Sequence, residues 1–234
     1  MSHDDCRGLE SLDTIDPAES PTIASPDRSR TPIGVDLGES PLYTVSPTDP
    51  ARAIEISAAV HSELGRLRDR TTRLRESAFD HETIAAYVAE RRETIVGRID
   101  AAAREVCADA AQYDAPVIVT EHFHFEADLW AWLTDPHARL GTAWLLPTAH
   151  QRLRSIAADR GIETATVPVA YSSQACHACG VLGDRTGDRL HCSTPACHVE
   201  TIDADRNAAV VLAKRYGPGR RCAYRPERPA HDGQ

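Results

Sequence analysis

The sequence predicts an α/β fold in which a mixed β-sheet is flanked by helices and carries a small inserted module. Short apolar runs with strand character alternate with longer segments of helical periodicity, which is typical of a sheet covered by helices. A cysteine-rich segment separates the last predicted strand from the last predicted helix. We see no internal repeat and no apolar run of about 18 residues, the length that a membrane-spanning helix needs.

The first third of the chain predicts a leader followed by a strand meander. Residues 1–31 are rich in Pro, Ser and Asp without periodicity, so they are predicted to be a disordered leader. Residues 32–38 read as a buried strand that ends in glycine. Residues 41–47 and 53–57 read as two more strands with turns between them.

Two long helices and an interior strand are predicted next. Leucines recur at helical spacing over residues 58–77, and Ile, Val and Ala do so over residues 81–112. The continuous apolar run at 115–123, APVIVTEHF, predicts an interior strand, because such a strand is covered on both faces. Shorter helical segments are predicted near 127–133 and 148–160.

The last third predicts one more strand, the insert and a final helix. Gly161 is a plausible helix stop, and the run IETATVPV at 162–169 predicts a strand. The segment DADRNAAVVLAKR at 203–215 has helix-forming composition. Residues 217–234 read as a flexible, loop-like tail.

The charge balance constrains the partners. Net charge is −9, which disfavours broad contact with a phosphate backbone. Lys214 is the only lysine among 26 basic residues, so the remainder are arginines, which bind phosphate well in local patches. An acid-rich, lysine-poor surface is what we expect of a halophile protein that works in high salt. The acidic start has no apolar stretch typical of a secretory signal, so the expected location is cytoplasmic.

Four cysteines have the spacing of a zinc site. Cys176 and Cys179 are separated by two residues, Cys192 and Cys197 by four, and the two pairs by twelve. Two such pairs joined by a glycine-containing turn suit tetrahedral zinc, and in a reducing compartment they indicate metal more often than disulfides. His177, His191 and His198 adjoin the cysteines and could replace one of them. A closed four-ligand site is structural, because it leaves no open position for chemistry.

Three acids follow core elements and are candidates for a second metal site. Asp36 ends the first strand, Glu121 ends the interior strand, and Asp205 begins the last helix. Converged carboxylates repel one another unless cations lie between them, and two Mg²⁺ or Mn²⁺ ions would flank a scissile phosphate. Each acid alone also has a simpler interpretation. Asp36 could cap a turn, and Asp205 could cap the last helix.

These stretches together resemble the RuvC-like nuclease portion of the TnpB family, transposon-encoded RNA-guided endonucleases related to type V CRISPR effectors. IGVDLGESPLYTVS resembles the first RuvC motif, and APVIVTEHF resembles the second. The ribbon SSQACHACG…LHCSTPACH with the following DADRNAA resembles the zinc ribbon and the third motif. The resemblance covers about residues 32–215.

The resemblance implies an RNase H-like fold with an inserted zinc ribbon. It implies catalytic, magnesium-binding roles for Asp36, Glu121 and Asp205, with Asp203 as the alternative third ligand. It also implies DNA as substrate and guide RNA as a possible partner, although only the short leader precedes the first motif. The implied divisions are the leader at 1–31, the nuclease domain at 32–170, the ribbon at 171–200, the last motif and helix at 201–216 and the tail at 217–234.

Three functions remain open from the sequence. The first is a metal-dependent DNA endonuclease active in transposition or DNA recombination. The second is a non-catalytic DNA-binding remnant or regulator, and the third is a zinc-stabilised interaction module. Arg185, Arg189 and Arg206 on or beside the ribbon are the candidate phosphate contacts.

Overall fold

A five-stranded mixed sheet forms the centre of the molecule. The computed structural model describes residues 30–38, 40–122, 144–168 and 171–216. The sheet contains strands β1 (Thr31–Leu37), β2 (Tyr43–Ser46), β3 (Ile54–Ile56), β4 (Pro116–Glu121) and β5 (Glu163–Val167). Its spatial order is β3-β2-β1-β4-β5.

Pairing within the sheet changes direction at β1. Strands β1, β2 and β3 pair antiparallel, as the predicted meander requires. Strand β4 pairs parallel with both β1 and β5, so it is an interior strand as its continuous apolar run predicts. In this register β1 and β4 run side by side in the same direction, and their carboxyl ends reach the same edge of the sheet.

Four α-helices lie within the described residues. They are α1 (Val60–Glu76), α2 (His81–Ala110), α3 (Leu145–Asp159) and α4 (Ala204–Arg215), with a 3-10 turn at Pro50–Arg52. The Asp80 carboxylate accepts from the backbone N–H of Thr83 and so caps the start of α2. Gly161 follows α3 with a φ of 68°, as its prediction as a helix stop requires.

Helices cover both faces of the sheet. Ile33, Val35 and Ile118 point to one face and join the main apolar core with residues of α1, α2 and α3. Val117 and Val119 point to the other face and pack with Leu212 of α4. The alternation along β1 and β4 therefore places α4 alone, among the described helices, against the second face.

Helix α4 approaches β1 unusually closely at Gly34. A Cβ atom built on Gly34 would lie 1.8 Å from the Ala209 carbonyl oxygen and 2.7 Å from the Ala213 backbone nitrogen. Ala208, Ala209 and Ala213 are buried, so the helix presents small side chains where its backbone meets the strand. Only glycine fits at this position of the strand.

The insert is a three-stranded antiparallel ribbon. It contains β6 (Asp184–Thr186), β7 (Arg189–His191) and β8 (Thr201–Asp203), in the order β6-β7-β8. Strand β8 continues into α4 without an intervening loop, because Asp203 is both its last residue and the N-cap of the helix. The ribbon therefore fixes where α4 begins.

The predicted order of elements is confirmed, with ends that differ by a few residues. The helix predicted near 127–133, the leader up to residue 29 and the tail at 217–234 lie outside the described residues. No helix within the described ranges combines the length and apolar character needed to span a bilayer.

We predict that Gly34→Ala destabilises the fold. The added methyl group overlaps backbone atoms of α4, which cannot move without displacing the helix. The expected loss is about 3 kcal/mol or more in the free energy of unfolding, measured by urea denaturation.

Gly97→Ala is the matched control, because a Cβ there meets nothing within 4 Å and the residue lies inside α2. Its stability should be unchanged or higher by about 0.5–1 kcal/mol. Equal effects of the two substitutions would contradict the proposed contact.

Candidate functional site

Asp36 lies on the sheet face that α4 covers. It is the penultimate residue of β1 and two residues beyond Gly34, so both point to the same face. Its register partner across the antiparallel pair is Thr44. The contact of Gly34 with Ala209 thus directs Asp36 toward the start of α4.

Asp205 lies in the first turn of α4, one turn before Ala209. Residues four apart share a helix face, so the face that contacts Gly34 also carries Asp205. The Asp203 carboxylate accepts from the backbone N–H groups of Asp205 and Arg206, at 3.1 and 2.9 Å. Asp203 is therefore the helix cap, and the reading of Asp205 as a cap is wrong.

Glu121 ends β4 and is 8% exposed. The Ser172 hydroxyl, at the entrance to the ribbon, donates a hydrogen bond to Glu121 Oε1. The backbone N–H of the next residue, His122, donates to the Val167 carbonyl of β5 at 2.9 Å, which continues the parallel pairing to the edge. Glu121 is thus held at the carboxyl edge of the sheet, where β1 also ends.

The three acids form one electrostatic cluster. Burial raises the pKa of Asp36 well above its usual range, and the charges of Glu121 and Asp205 raise it further, whereas Arg185 lowers it. Burial likewise raises the pKa of Glu121, and it raises the pKa of Asp205 together with the charge of Asp203. The structure therefore brings the three predicted acids together from three separate elements, and the charges of Glu121 and Asp205 disfavour ionisation of Asp36.

The donor set of this cluster suits hard divalent cations. Mg²⁺ and Mn²⁺ take carboxylate oxygens and would neutralise the two acids whose charges raise the pKa of Asp36. The three carboxylates are spread more widely than a single tight ligand set, since in the described residues only the cysteines have all ligand atoms within 4.8 Å of one another. The three acids would therefore hold a divalent cation from different sides of the cluster, if they bind one, and not as one tight ligand set.

The four cysteines form the second candidate metal site. Cys176 and Cys197 have their Sγ atoms 3.8 Å apart, and those of Cys179 and Cys192 are 3.6 Å apart. A regular tetrahedron with metal–sulfur bonds of about 2.3 Å has edges of about 3.8 Å. The cluster therefore has the dimensions to hold a zinc ion.

The neighbouring histidines make other contacts. The ring of His177 lies 3.1 Å from the Asn207 side chain, and that of His191 lies 3.0 Å from the Thr201 hydroxyl. The described cluster consists of cysteines alone. Of the remaining cysteines, Cys107 is buried in the main core, while Cys6 and Cys222 lie outside the described residues.

The ribbon is anchored to α4 by two side chains of that helix. Fully buried Asn207 accepts from the His177 backbone N–H and donates from Nδ2 to the Ala175 carbonyl, both at 2.8 Å. Lys214 donates from Nζ to the His177 carbonyl at 2.8 Å. These bonds bracket Cys176, so the cysteine cluster and the helix that carries Asp205 are joined directly.

The three candidate arginines differ in their surroundings. Arg185 extends from β6 toward the acids, with Nη2 at 3.6 Å from Asp205 Oδ1 and Nε donating to the Gly187 carbonyl. Arg206 forms an exposed ion pair with Glu55 at 3.0 Å. Arg189 is exposed on β7, and in the part of the chain that the structure describes it has no ion-pair partner.

The sequence analysis did not predict the contacts of several residues at the site. Ser172 and Asn207 contact residues 51 and about 30 positions away, and the Arg215 charge faces Glu121. Asn207 lies within the DADRNAA motif, so the sequence singled out this residue. It did not reveal that the side chain binds the ribbon. Trp144 is a packing anchor, buried and covered by the Arg92 guanidinium at 5.0 Å.

The chain is similar to known proteins in part of its sequence and in its fold. Residues 148–212 match the sequence model of a family described as Cas12f1-like, TNB domain. The fold is similar to that in a solved structure described as the cryo-EM structure of the Cas12f1-sgRNA-target DNA complex, with a TM-score of 0.61 and 16% identity. The match covers 81% of this chain and 51% of that chain, so this chain spans about half of its length. No curated protein sequence matches the chain.

At this identity the structural likeness establishes the fold. It confirms the predicted class, an α/β fold in which a mixed sheet is flanked by helices. The segment matched by sequence runs from α3 through the ribbon into α4, so it contains the cysteine cluster and Asp205.

We predict that Asp36→Asn stabilises the protein in buffer without added Mg²⁺ or Mn²⁺. Because the pKa of Asp36 is raised on folding, the folded state holds more protons than the unfolded state, and stability is lost as pH rises through the folded pKa. The amide carries no charge, so at pH 7.5 Tm should rise by about 2–4 °C, the shift that ~1 kcal/mol produces in a protein of this size.

Added Mn²⁺ should then raise the Tm of the wild type and leave that of Asp36→Asn unchanged. Asp69→Asn, an exposed change of the same charge on α1, is the control and should behave as the wild type. The electrostatic account would fail if Asp36→Asn lowered Tm under these conditions.

Proposed function

We propose that this chain is a TnpB-like, Cas12-related DNA endonuclease that depends on divalent cations. The observation that carries the proposal is the convergence of Asp36, Glu121 and Asp205 from β1, β4 and α4 at one edge of the sheet. An acid cluster that is unfavourable by itself, in a RuvC-type fold, is best explained by the cations that it binds.

The three acids have distinct roles in the proposed site. The charges of both other acids act on Asp36, so it would gain most from a bound cation. Glu121 would bind a cation from the sheet, and Asp205 would bind one from helix α4. Two Mg²⁺ or Mn²⁺ ions bound there would activate a water molecule and stabilise the leaving oxygen of a phosphodiester.

Arginines on the ribbon supply the positive charge that a nucleic acid needs. Arg185 lies beside Asp205, so its guanidinium is close to where a scissile phosphate would bind. Arg189 and Arg206 extend this positive charge along the ribbon and the start of α4, although a phosphate would have to compete with Glu55 for Arg206. These contacts can operate on a chain of net charge −9 because they are local.

RNA is the proposed second partner. The similar solved structure is described as a complex with sgRNA and target DNA, and this chain spans about half of that protein. We propose that a guide RNA, or another chain, directs the target strand to the acid cluster.

Zinc is the proposed occupant of the cysteine cluster. The ribbon between residues 171 and 203 buries few apolar side chains, chiefly Ala175 and Leu190, so it has little core of its own. A bound zinc ion would supply the missing stability, and the bonds from Asn207 would transmit it to α4.

The nuclease proposal predicts cleavage that Asp205→Asn abolishes. The purified protein, with any RNA that copurifies, is incubated with end-labelled single- and double-stranded DNA and Mg²⁺ or Mn²⁺, in low and high KCl. Loss of a cation ligand should lower the cleavage rate by about 100-fold or more.

Asp184→Asn is the matched control, because it makes the same charge change at an exposed position of the ribbon. It should cleave like the wild type. DNA binding without cleavage by the wild type would reject the endonuclease and favour a non-catalytic DNA-binding protein.

The zinc proposal predicts one zinc ion per chain by elemental analysis. Cys179→Ser removes one of four thiolates, so zinc content should fall to well below half and the ribbon should become sensitive to proteolysis. Cys107→Ala, which changes a cysteine of the main core, should keep its zinc. Full zinc content in Cys179→Ser would contradict the assignment.

A further inference from the structure

The hydrogen bond between Ser172 and Glu121 joins the ribbon to the acid cluster. Ser172 is 3% exposed and Glu121 is 8% exposed, so both groups are withdrawn from water. A hydroxyl bound to a buried carboxylate forms a charge-assisted bond, which is stronger than one between neutral groups. The bond spans 51 positions of sequence and is therefore a product of tertiary packing.

Ser172 is itself held in place by the ribbon. It lies in a tight turn in which the backbone N–H groups of Gln174 and Ala175 both donate to the Tyr171 carbonyl, at 3.1 and 2.8 Å. This turn ends at Ala175. The carbonyl of Ala175 accepts a hydrogen bond from Asn207 of α4. The turn is thus fixed at its far end by the same side chain that anchors the cysteine cluster.

A second group, the Arg215 guanidinium, acts on the Glu121 carboxylate through its charge. The Arg215 charge faces Glu121, and Arg215 Nη1 donates to the Pro168 carbonyl, just beyond β5, at 2.6 Å. Ser172 contacts Oε1 alone. A carboxylate offers about four lone-pair positions and the Ser172 hydroxyl occupies one of them, so this bond by itself leaves the carboxylate able to bind a cation.

We propose that Ser172 is a positioning residue for Glu121: its hydroxyl holds the carboxylate in the orientation in which it binds the divalent cation. The inference rests on the proposed function, because it takes Glu121 as a cation ligand. Partners that orient a metal ligand through a hydrogen bond commonly affect metal affinity about 10–100-fold. Through this bond, the ribbon influences the acid cluster without contributing a ligand of its own.

The test is direct Mn²⁺ binding to the full chain, measured by isothermal titration calorimetry at pH 7.5. Ser172→Ala should weaken Mn²⁺ binding about tenfold, the lower end of that range. Its zinc content should equal that of the wild type, which separates positioning from loss of the ribbon. Ser173→Ala, the same change at the adjacent residue, is the matched control and should bind as the wild type does.

A second pair of variants isolates the hydroxyl. Ser172→Thr keeps a hydroxyl. Valine has the shape of threonine but lacks the hydroxyl, so Ser172→Thr and Ser172→Val add the same bulk to the turn. Ser172→Thr should bind Mn²⁺ within about twofold of the wild type, and Ser172→Val should bind about tenfold more weakly. If Ser172→Ala loses its zinc, the comparison of these two variants still shows whether the Ser172 hydroxyl supports Mn²⁺ binding.

Glu121→Gln distinguishes failure of the inference from failure of the proposed function. Weaker Mn²⁺ binding by Glu121→Gln together with unchanged binding by Ser172→Ala and Ser172→Val would overturn the role of Ser172 and leave the cation site standing. Unchanged binding by Glu121→Gln would overturn both, because Glu121 would then not be a cation ligand.

Discussion

The close contact between α4 and β1 at Gly34 is the constraint on which the rest of the site depends. Gly34 and Asp36 share a strand face, and Asp205 and Ala209 share a helix face, so one contact sets the separation of the two aspartates. A side chain at Gly34 would push the helix off the sheet and move Asp205 with it. The alanines of α4 and the glycine of β1 therefore have a geometric role in the candidate site, although neither takes part in its chemistry.

The ribbon gives α4 a fixed start and orientation. Strand β8 continues directly into the helix, Asp203 caps it, and Asn207 binds the backbone on both sides of Cys176. A small three-stranded unit with few buried apolar side chains could not impose this geometry by itself, because it gains little from burial. Four cysteines within 4.8 Å of one another could hold a metal ion, which would give it a stabilising centre.

Electrostatics oppose the arrangement that packing imposes. Burial raises the pKa values of Asp36, Glu121 and Asp205, and the charges of Glu121 and Asp205 raise that of Asp36 further. Arg185 lowers the pKa values of Asp36 and Asp205, which offsets the increase only in part. A protein gains stability by dispersing such charges, so their concentration at one edge of the sheet is the basis of the proposed cation site. The likeness to a Cas12f1 structure concerns the fold alone. Bound cations would turn the same repulsion into favourable ligand interactions.

The sequence by itself determined the order of the elements, the cysteine cluster and the three acids at the ends of core elements. These follow from local properties, namely the periodicity of α1 and α2, the continuous apolar run of β4 and the ligand spacing of the cysteines. The sequence left Asp203 and Asp205 as alternatives. Only the tertiary structure made Asp203 the helix cap, and only it brought Ser172 to Glu121 and Asn207 to the ribbon. Those roles depend on partners distant in sequence, and a hydroxyl or an amide has no local pattern that specifies which distant group it will meet.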